Sequence, residues 1–528
     1  MEPRYDIAIV GAGITGCAIA RQLARYDKTI CLIEATDDIA LGASKANGGL
    51  IHAGYDPAPG TMKAKMNARG CELYGTWSKE LGFLFQRTGS LVLGFTDEDL
   101  ATLEHLRDNG LANGVPHLEI VGPDRIAELE PRANPDATCA LWSPSTGYVD
   151  PFEVAIAAAE NAVANGATFM RGAPVTAIDR PQEGGFVLST PKGDVRCEIL
   201  INAAGSGAGE ISRMAGDRGL RMVWRQGNIA VLDKEPRAIM PLYPVPTPVS
   251  KGVIVTGTVH NNTVITATAE MREQGDKDTY AGDVEALLSG ARKLVPDLDT
   301  RRVVRTFAGG RAVLEKTNDF LIEASESTPG LFHAAGIQSP GVASAPAVAE
   351  RMEHLLREAG IELAERADWN PIRRMPDDFD LAPPRAQGGA HRGGPGMGPH
   401  RMPLRDGAGG RDRRRHPPQA GRHLGRGRQT PLPRRHGPLP ERLLSKSRRG
   451  DPRPRTRCRP LRSPAGRHGL MDRRRTAQEP GRPHGRHRRG GLLAWLRLKH
   501  AIMTSSSSAA APRAWELPSQ RTKPARRP

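Results

Sequence analysis

Gly11-Ala12-Gly13-Ile14-Thr15-Gly16 lies between a run that reads as a strand and a run that reads as a helix, and that context gives the hexapeptide its meaning. Tyr5–Val10 is short and rich in β-branched residues, as expected of a buried parallel strand. Ile14–Arg25 has helical spacing of apolar and small residues, and Thr29–Glu34 is a second apolar run. Together they make one βαβ unit. Gly11 suits the tight turn, Gly13 a close approach of backbone to a pyrophosphate, and Gly16 the packing of helix on sheet. The loop N–H groups, Ile14 and Thr15 among them, and the helix dipole favour phosphate at that end. Glu34 ends the next strand 18 residues past Gly16, where a carboxylate can hold ribose hydroxyls and repel a 2′-phosphate. A glycine-rich turn of no function is the bland alternative, and the complete context argues against it.

Further along, Ile199–Ala204 reads as another buried strand, with Gly205 after it, and Leu331–Ala335 as a third, followed by Gly336. Ser344–Ala359 reads as a helix with Ser344 as N-cap and Gly360 as its stop. Between them, Phe186–Ser189, Ile229–Leu232, Val253–Val259 and Thr263–Thr268 alternate in the manner of an antiparallel sheet with one wet face. The expected fold is α/β. A Rossmann-like dinucleotide-binding domain (1–88, 146–215 and 301–370) is interrupted by a substrate domain of mixed, largely antiparallel sheet (89–145 and 216–300). A Pro/Asp-rich linker (371–384) and a low-complexity tail (385–528) follow.

The formal charge of +17 over 528 residues taken alone points to a nucleic-acid partner. It is unevenly spread. Of 75 Lys+Arg and 58 Asp+Glu, 37 and 7 lie beyond residue 384, leaving that part at +30 and the part before it at −13. The tail has no Phe or Tyr and only Trp495 and Trp515, so it cannot bury enough apolar surface to offset chain entropy and is expected to be disordered. The six cysteines are scattered without a CxxC pair, which gives no metal or disulfide framework. No signal-peptide pattern and no apolar run of about 18 residues is present. The expectation is a reduced, cytoplasmic protein with no transmembrane segment, reaching the inner face of a membrane only through partners.

The glycine loop does not distinguish FAD from NAD. Gly42–Gly54, a small, polar, glycine-rich stretch containing Ser44, Asn47, Gly48 and His52, resembles the second flavin-contacting segment of the D-amino-acid-oxidase-like flavoenzymes. Asn202–Gly205, with Ala204 and Gly205, resembles their third contact. Gly336–Pro346, with Ile337, Gly341, Ala343 and Ser344, resembles their C-terminal flavin motif. These motifs in this order make FAD the expected cofactor. Within that superfamily residues 4–384 resemble the anaerobic-type glycerol-3-phosphate dehydrogenase large subunit, with L-2-hydroxyglutarate oxidase as a near relative. The residues that carry the likeness are the His52 segment, Tyr55–Thr61, Gly147–Pro151, Val249–Gly252, Thr258–His260, Phe307–Ala312 and the Gly336 motif.

The resemblance implies that a hydride leaves the secondary alcohol of a small anionic substrate for flavin N5 while a base takes the hydroxyl proton. Histidine suits that base. His52 is the first choice and His260 the second, although a histidine at a strand end is often only a hydrogen-bonding core residue. Arg311 is the expected anion ligand, because a guanidinium binds phosphate or carboxylate bidentately. Lys251 is a weaker candidate, since such lysines are usually solvated. The helix after Gly336 is expected to turn its N-terminus on the flavin pyrimidine ring. Related enzymes also suggest an adenine contact at Val175. Electrons in the resembled enzymes leave toward quinone through partner subunits.

Three readings of the tail compete: an anionic-surface or nucleic-acid arm without sequence specificity, an inert extension, or a frameshifted reading of a G/C-rich gene. The resemblance calls for a cysteine-rich [2Fe-2S] domain near this point. Reading one base later forces Cys from Met402-Pro403 and Trp from Met397-Gly398. It permits VCRCET within His400–Gly407 and KRRCRAGMGRCQSGFC from Gln429–Leu444, a CxC followed by a CxxxxC. This favours the frameshift, with its break near 383–386. The thiolate ligands that such a cluster needs are absent from the chain as translated.

Overall fold

The computed structural model describes residues 3–374 except 218, 235–238 and 248–250. The tail, its frameshift reading and the linker beyond residue 374 lie outside the described residues. The linker was expected to begin at 371, but the chain is still anchored there. Arg373 is 6% exposed, and its guanidinium bonds Glu160 at 2.7 Å, Glu153 at 3.0 Å and the Leu81 carbonyl at 3.3 Å.

The first sheet is built around Arg4–Val10, which pairs in parallel with Ile30–Ile33 on one side and Val195–Asn202 on the other. Thr168–Met170 extends it beyond Ile30–Ile33, and Leu331–Ala335 pairs in parallel with residues 200–202. These strands are nearly continuous apolar runs, as parallel strands covered on both faces must be. Phe186–Ser189 belongs here too, antiparallel to Val195–Asn202. One face is covered by the helices Ile14–Leu23, Pro151–Ala164, Met62–Leu81 and Gly341–Glu358, all contributing to the largest apolar cluster.

The second sheet has nine strands and is largely antiparallel. Its spine is Met222–Lys234, paired with Asn262–Thr266 on one side and with Val303–Leu314 along most of its length on the other. Residues 303–314 were expected on the dinucleotide side of the chain. Their backbone ladder instead ties them to the second sheet. Ser90–Gly94, Glu119–Val121 and Cys139–Ser143 complete the far edge. A small third sheet (Leu50–Ile51, Phe85–Gln86, Gly147–Val149) joins the 42–54 and 147–151 segments, with Phe85–Gln86 on the other edge of Gly147–Val149.

The last helix starts earlier than expected, at Gly341 with Pro340 as N-cap. Ser344 is therefore not a cap. It is fully buried in the first turn, its hydroxyl donating to the Pro340 carbonyl at 3.0 Å. Pro346 lies inside the helix and has no N–H to offer the Val342 carbonyl. The buried Tyr74 hydroxyl donates to that carbonyl instead, at 2.6 Å.

Candidate functional site

A cleft of about 780 Å³ runs from the glycine loop to the second sheet. That volume is within the usual range for small-molecule and cofactor sites, roughly 300–1,000 Å³. At one end stand Gly11, Gly13, Ile14, Thr15, Glu34, Ala204 and Gly205. Gly11 has φ +106°, and a Cβ there would meet the Ala203 carbonyl at 2.5 Å, while one on Gly16 would meet the Gly11 carbonyl at 1.9 Å. Only glycines permit this turn. Gly16 thus acts by packing, not by lining the cleft. The helix that follows has Gly13 as an uncapped, extended N-cap. Its Ile14 N–H donates to Ser44 Oγ at 2.9 Å, which fixes the 42–49 loop over the helix start. The Glu34 carboxylate accepts from Ala12 N–H at 2.8 Å and from Thr36 N–H and hydroxyl at 2.9 and 2.7 Å.

The middle of the cleft is formed by Ser44, Asn47, Gly48 and the turn 337–342. Asn47 shapes its loop, donating to the Ser44 carbonyl and accepting from Gly49 N–H, both at 2.8 Å. Ile337 and Gly341 line the cleft beside the uncapped start of the Gly341–Glu358 helix. Gly336 does not line it: at φ +67° it makes the turn, with Leu314 and the Asp319 carbonyl against it. Ala343 and Ser344 are buried in the helix body. Val175 packs into the apolar cluster containing Ala8, Val10 and Cys31 and does not line the cleft.

The far end carries the chemistry. His52 is partly open to the cleft, and its Nδ1 lies 3.1 Å from the hydroxyl of the buried Tyr243. Burial, and then the neighbouring Lys251 cation, hold its pKa well below 6.5. Arg311 lines the same end. Its guanidinium donates to the Thr268 and Gln226 carbonyls at 3.1 and 3.5 Å and has no carboxylate partner among the described residues. Arg225, which sequence reading missed, is its direct cross-strand partner. Like charges opposed in this way are unfavourable. Burial and then Arg225 bring the Arg311 pKa down to about 10. Lys63, also missed, lines the cleft with its Nζ on the Asn318 carbonyl. Burial leads the opposing influences that bring its pKa to about 8. Lys251 is paired with Asp56 at 3.0 Å and faces the cleft.

His260 is the clear misplacement. The strand expected to carry it ends at Gly257, and residues 258–261 form the turn of a hairpin closed by Thr258 N–H to the Asn262 carbonyl at 3.0 Å. At that tip its side chain is 62% exposed, 3.3 Å from Asp150, and it does not line the cleft.

The model of the FAD dependent oxidoreductase family (DAO) matches residues 6–355. The chain belongs to this family. A glycerol 3-phosphate dehydrogenase of Caloramator mitchellensis is 35% identical over 378 residues, covering 71% of this chain and 78% of that protein. The structure of a dithionite-reduced L-alpha-glycerophosphate oxidase of Mycoplasma pneumoniae with FAD bound superposes with a TM-score of 0.68 and 28% identity, covering 71% of this chain and all of that one. A mitochondrial L-2-hydroxyglutarate dehydrogenase of Nematostella vectensis is 31% identical over 262 residues, 46% of this chain and 57% of that protein. In this FAD-dependent oxidoreductase, no described helix is long and apolar enough to cross a membrane. No described cluster of His, Cys, Asp and Glu forms a metal site.

Proposed function

We propose that the enzyme oxidises the secondary alcohol of sn-glycerol 3-phosphate. The observation that carries this is the opposed Arg225–Arg311 pair at the same end of the cleft as a histidine held neutral. Two guanidiniums with no carboxylate partner among the described residues invite an anion, and bidentate binding by Arg311 suits a phosphate. Lys63 and Lys251 add to the positive potential. His52, uncharged at neutral pH, is the group that takes the hydroxyl proton.

The cleft fits FAD in its donor set: a helix N-terminus for the pyrophosphate, Glu34 for the ribose, and a second helix N-terminus at Gly341 for the flavin end. When bound, FAD supplies the hydride-accepting N5. The other expected contacts, Ser44, Asn47, Gly48, Ala204, Gly205 and Ile337, line the cleft between those two helix starts.

Between the two anionic substrates, likeness also favours the phosphate: the glycerol-phosphate enzymes match over 78% and 100% of their lengths, whereas the hydroxyglutarate match covers 57% of its relative. L-2-Hydroxyglutarate is the second reading, since carboxylates also suit the two arginines. Turnover of both substrates by the FAD-loaded protein, with a dye acceptor, separates them. A kcat/KM at least tenfold higher for L-2-hydroxyglutarate refutes the first reading. Comparing reoxidation by oxygen and by a soluble quinone then distinguishes an oxidase from a dehydrogenase that passes electrons to a membrane-associated partner subunit.

A further inference from the structure

Behind His52, on the side of Tyr243, lies a second, smaller cavity of about 20 Å³. A site of that size admits a single water if polar groups hold it. His52, Asp56, Pro246 and Lys251 line both this cavity and the main cleft.

The cavity wall carries more polar capacity than the protein satisfies. Asn67 is fully buried and donates its amide to the His52 carbonyl, yet its Oδ1 has no hydrogen-bond partner. Tyr55 is 5% exposed. Its hydroxyl stands beside Ser90 Oγ, and neither atom makes a hydrogen bond of good geometry. Tyr243, 4% exposed, completes the ring with its hydroxyl on His52 Nδ1. Leaving buried polar atoms unpaired costs about 1–3 kcal/mol each. A water offered to several of them is the usual remedy.

We propose that this cavity holds one structural water, and that Tyr243, the water and Asp56 form a proton path leading away from His52. The inference rests on His52 being the base. The proton balance is simple. The substrate hydroxyl proton adds to Nε2, and the Nδ1 proton passes to the Tyr243 oxygen. The Tyr243 proton passes to the water, and a water proton passes to the Asp56 carboxylate. Asp56 is 29% exposed and releases it to solvent. No electrons move along this path, and Tyr243, the water and Asp56 end with the protons they began with. His52 ends as the Nε2–H tautomer and is reset once product leaves, when water in the open cleft takes the Nε2 proton and the path, run in reverse, returns one to Nδ1. The path also fixes the tautomer, because Nδ1–H on Tyr243 leaves Nε2 free to accept. The charged and titratable groups around it are Lys251 and Asp56 on the cleft side and Tyr55, Tyr243 and Cys71 within the fold. The Lys251 cation disfavours an imidazolium that keeps its proton. Tyr243 is here a positioning and relay residue, since it touches His52 and not substrate.

The test uses FAD-loaded protein mixed anaerobically with sn-glycerol 3-phosphate, following flavin bleaching across pH for the wild type, Tyr243→Phe, Tyr55→Phe and the double variant. Tyr243→Phe should slow reduction about 10- to 100-fold, change substrate Kd less than about threefold, and move the acid limb of the profile to lower pH. Tyr55→Phe should cost about 3- to 10-fold alone and nothing further in the Tyr243→Phe background, as expected if Tyr55 acts only by holding the water that Tyr243 feeds. A crystal structure of the wild type should show one water within hydrogen-bond distance of Tyr55 Oη and Asn67 Oδ1. Variants that keep the wild-type profile, additive losses, or a dry cavity overturn the proposal. Wild-type flavin that stays oxidised with both candidate substrates would refute the parent reading instead.

Discussion

Replacing Arg311 with methionine should move activity and stability in opposite directions. The side chain is largely buried, opposes Arg225 across the strand pair, and among the described residues is held by two backbone carbonyls. A pKa brought from 12.5 to about 10 corresponds to about 3 kcal/mol against the charged form, part of which water in the open cleft offsets. Methionine keeps much of the volume and removes the charge, so the ligand-free protein should gain about 1–2 kcal/mol, or about 1–3 °C in thermal midpoint. The same change removes a bidentate, charge-assisted anchor worth about 3–4 kcal/mol to a bound phosphate. The value of kcat/KM for sn-glycerol 3-phosphate should therefore fall about 10²- to 10³-fold. Thermal unfolding with and without glycerol phosphate, alongside dye-linked turnover, reads both effects. Substrate at 100 times its Kd should stabilise the wild type by about 2.7 kcal/mol and the variant far less. A variant that loses stability while keeping turnover would show Arg311 to be a structural tie and not an anion site.

Gly11→Ala forces a side chain onto the Ala203 carbonyl at positive φ; purified protein should carry little FAD, read as the ratio of 450 to 280 nm absorbance. His52→Gln should slow flavin reduction by about 10²- to 10⁴-fold. In the wild type the rate should stay flat through neutral pH and fall only well below pH 6.5, because the folded-state pKa of His52 is lowered. The sign for stability is the same: the unfolded chain binds that proton more readily, so stability is lost as pH falls below 6.5. Tyr74→Phe leaves the Val342 carbonyl, already deprived of its helical donor by Pro346, without a partner. It should cost about 1–3 kcal/mol in urea unfolding.

The dinucleotide end was legible in the sequence because its signals are local. Strand, glycine loop, helix and Glu34 lie within one βαβ unit, and steric limits on Gly11 and Gly16 act between near neighbours or fixed strand ends. The substrate end was only partly legible. The strand expected from Ile229 begins at Met222, because Gln226 and Asn228 break the apolar alternation. Both are buried, and their amide nitrogens donate to distant partners, Gln226 to the Asp276 and Asp278 carbonyls and Asn228 to Thr268 and Asp283. Missing those residues hid Arg225, whose meaning depends on register with Arg311. Lys63 was hidden for a related reason: Asp319, 256 positions away, accepts from its backbone N–H at 2.9 Å at the start of the Met62–Leu81 helix. His260 failed because Thr258 and Asn261 make a hairpin turn where alternation suggested more strand. The boundary at residue 301 failed because strand length, unlike strand existence, depends on the partner ladder.

Anaerobic titration of the FAD-loaded protein with sn-glycerol 3-phosphate, followed at 450 nm, puts the proposed reaction itself to the test. Bleaching should saturate with substrate, and its rate should fall at least a hundredfold when His52 is replaced. A yellow protein that stays oxidised at saturating substrate, or one that bleaches equally well without His52, would contradict it.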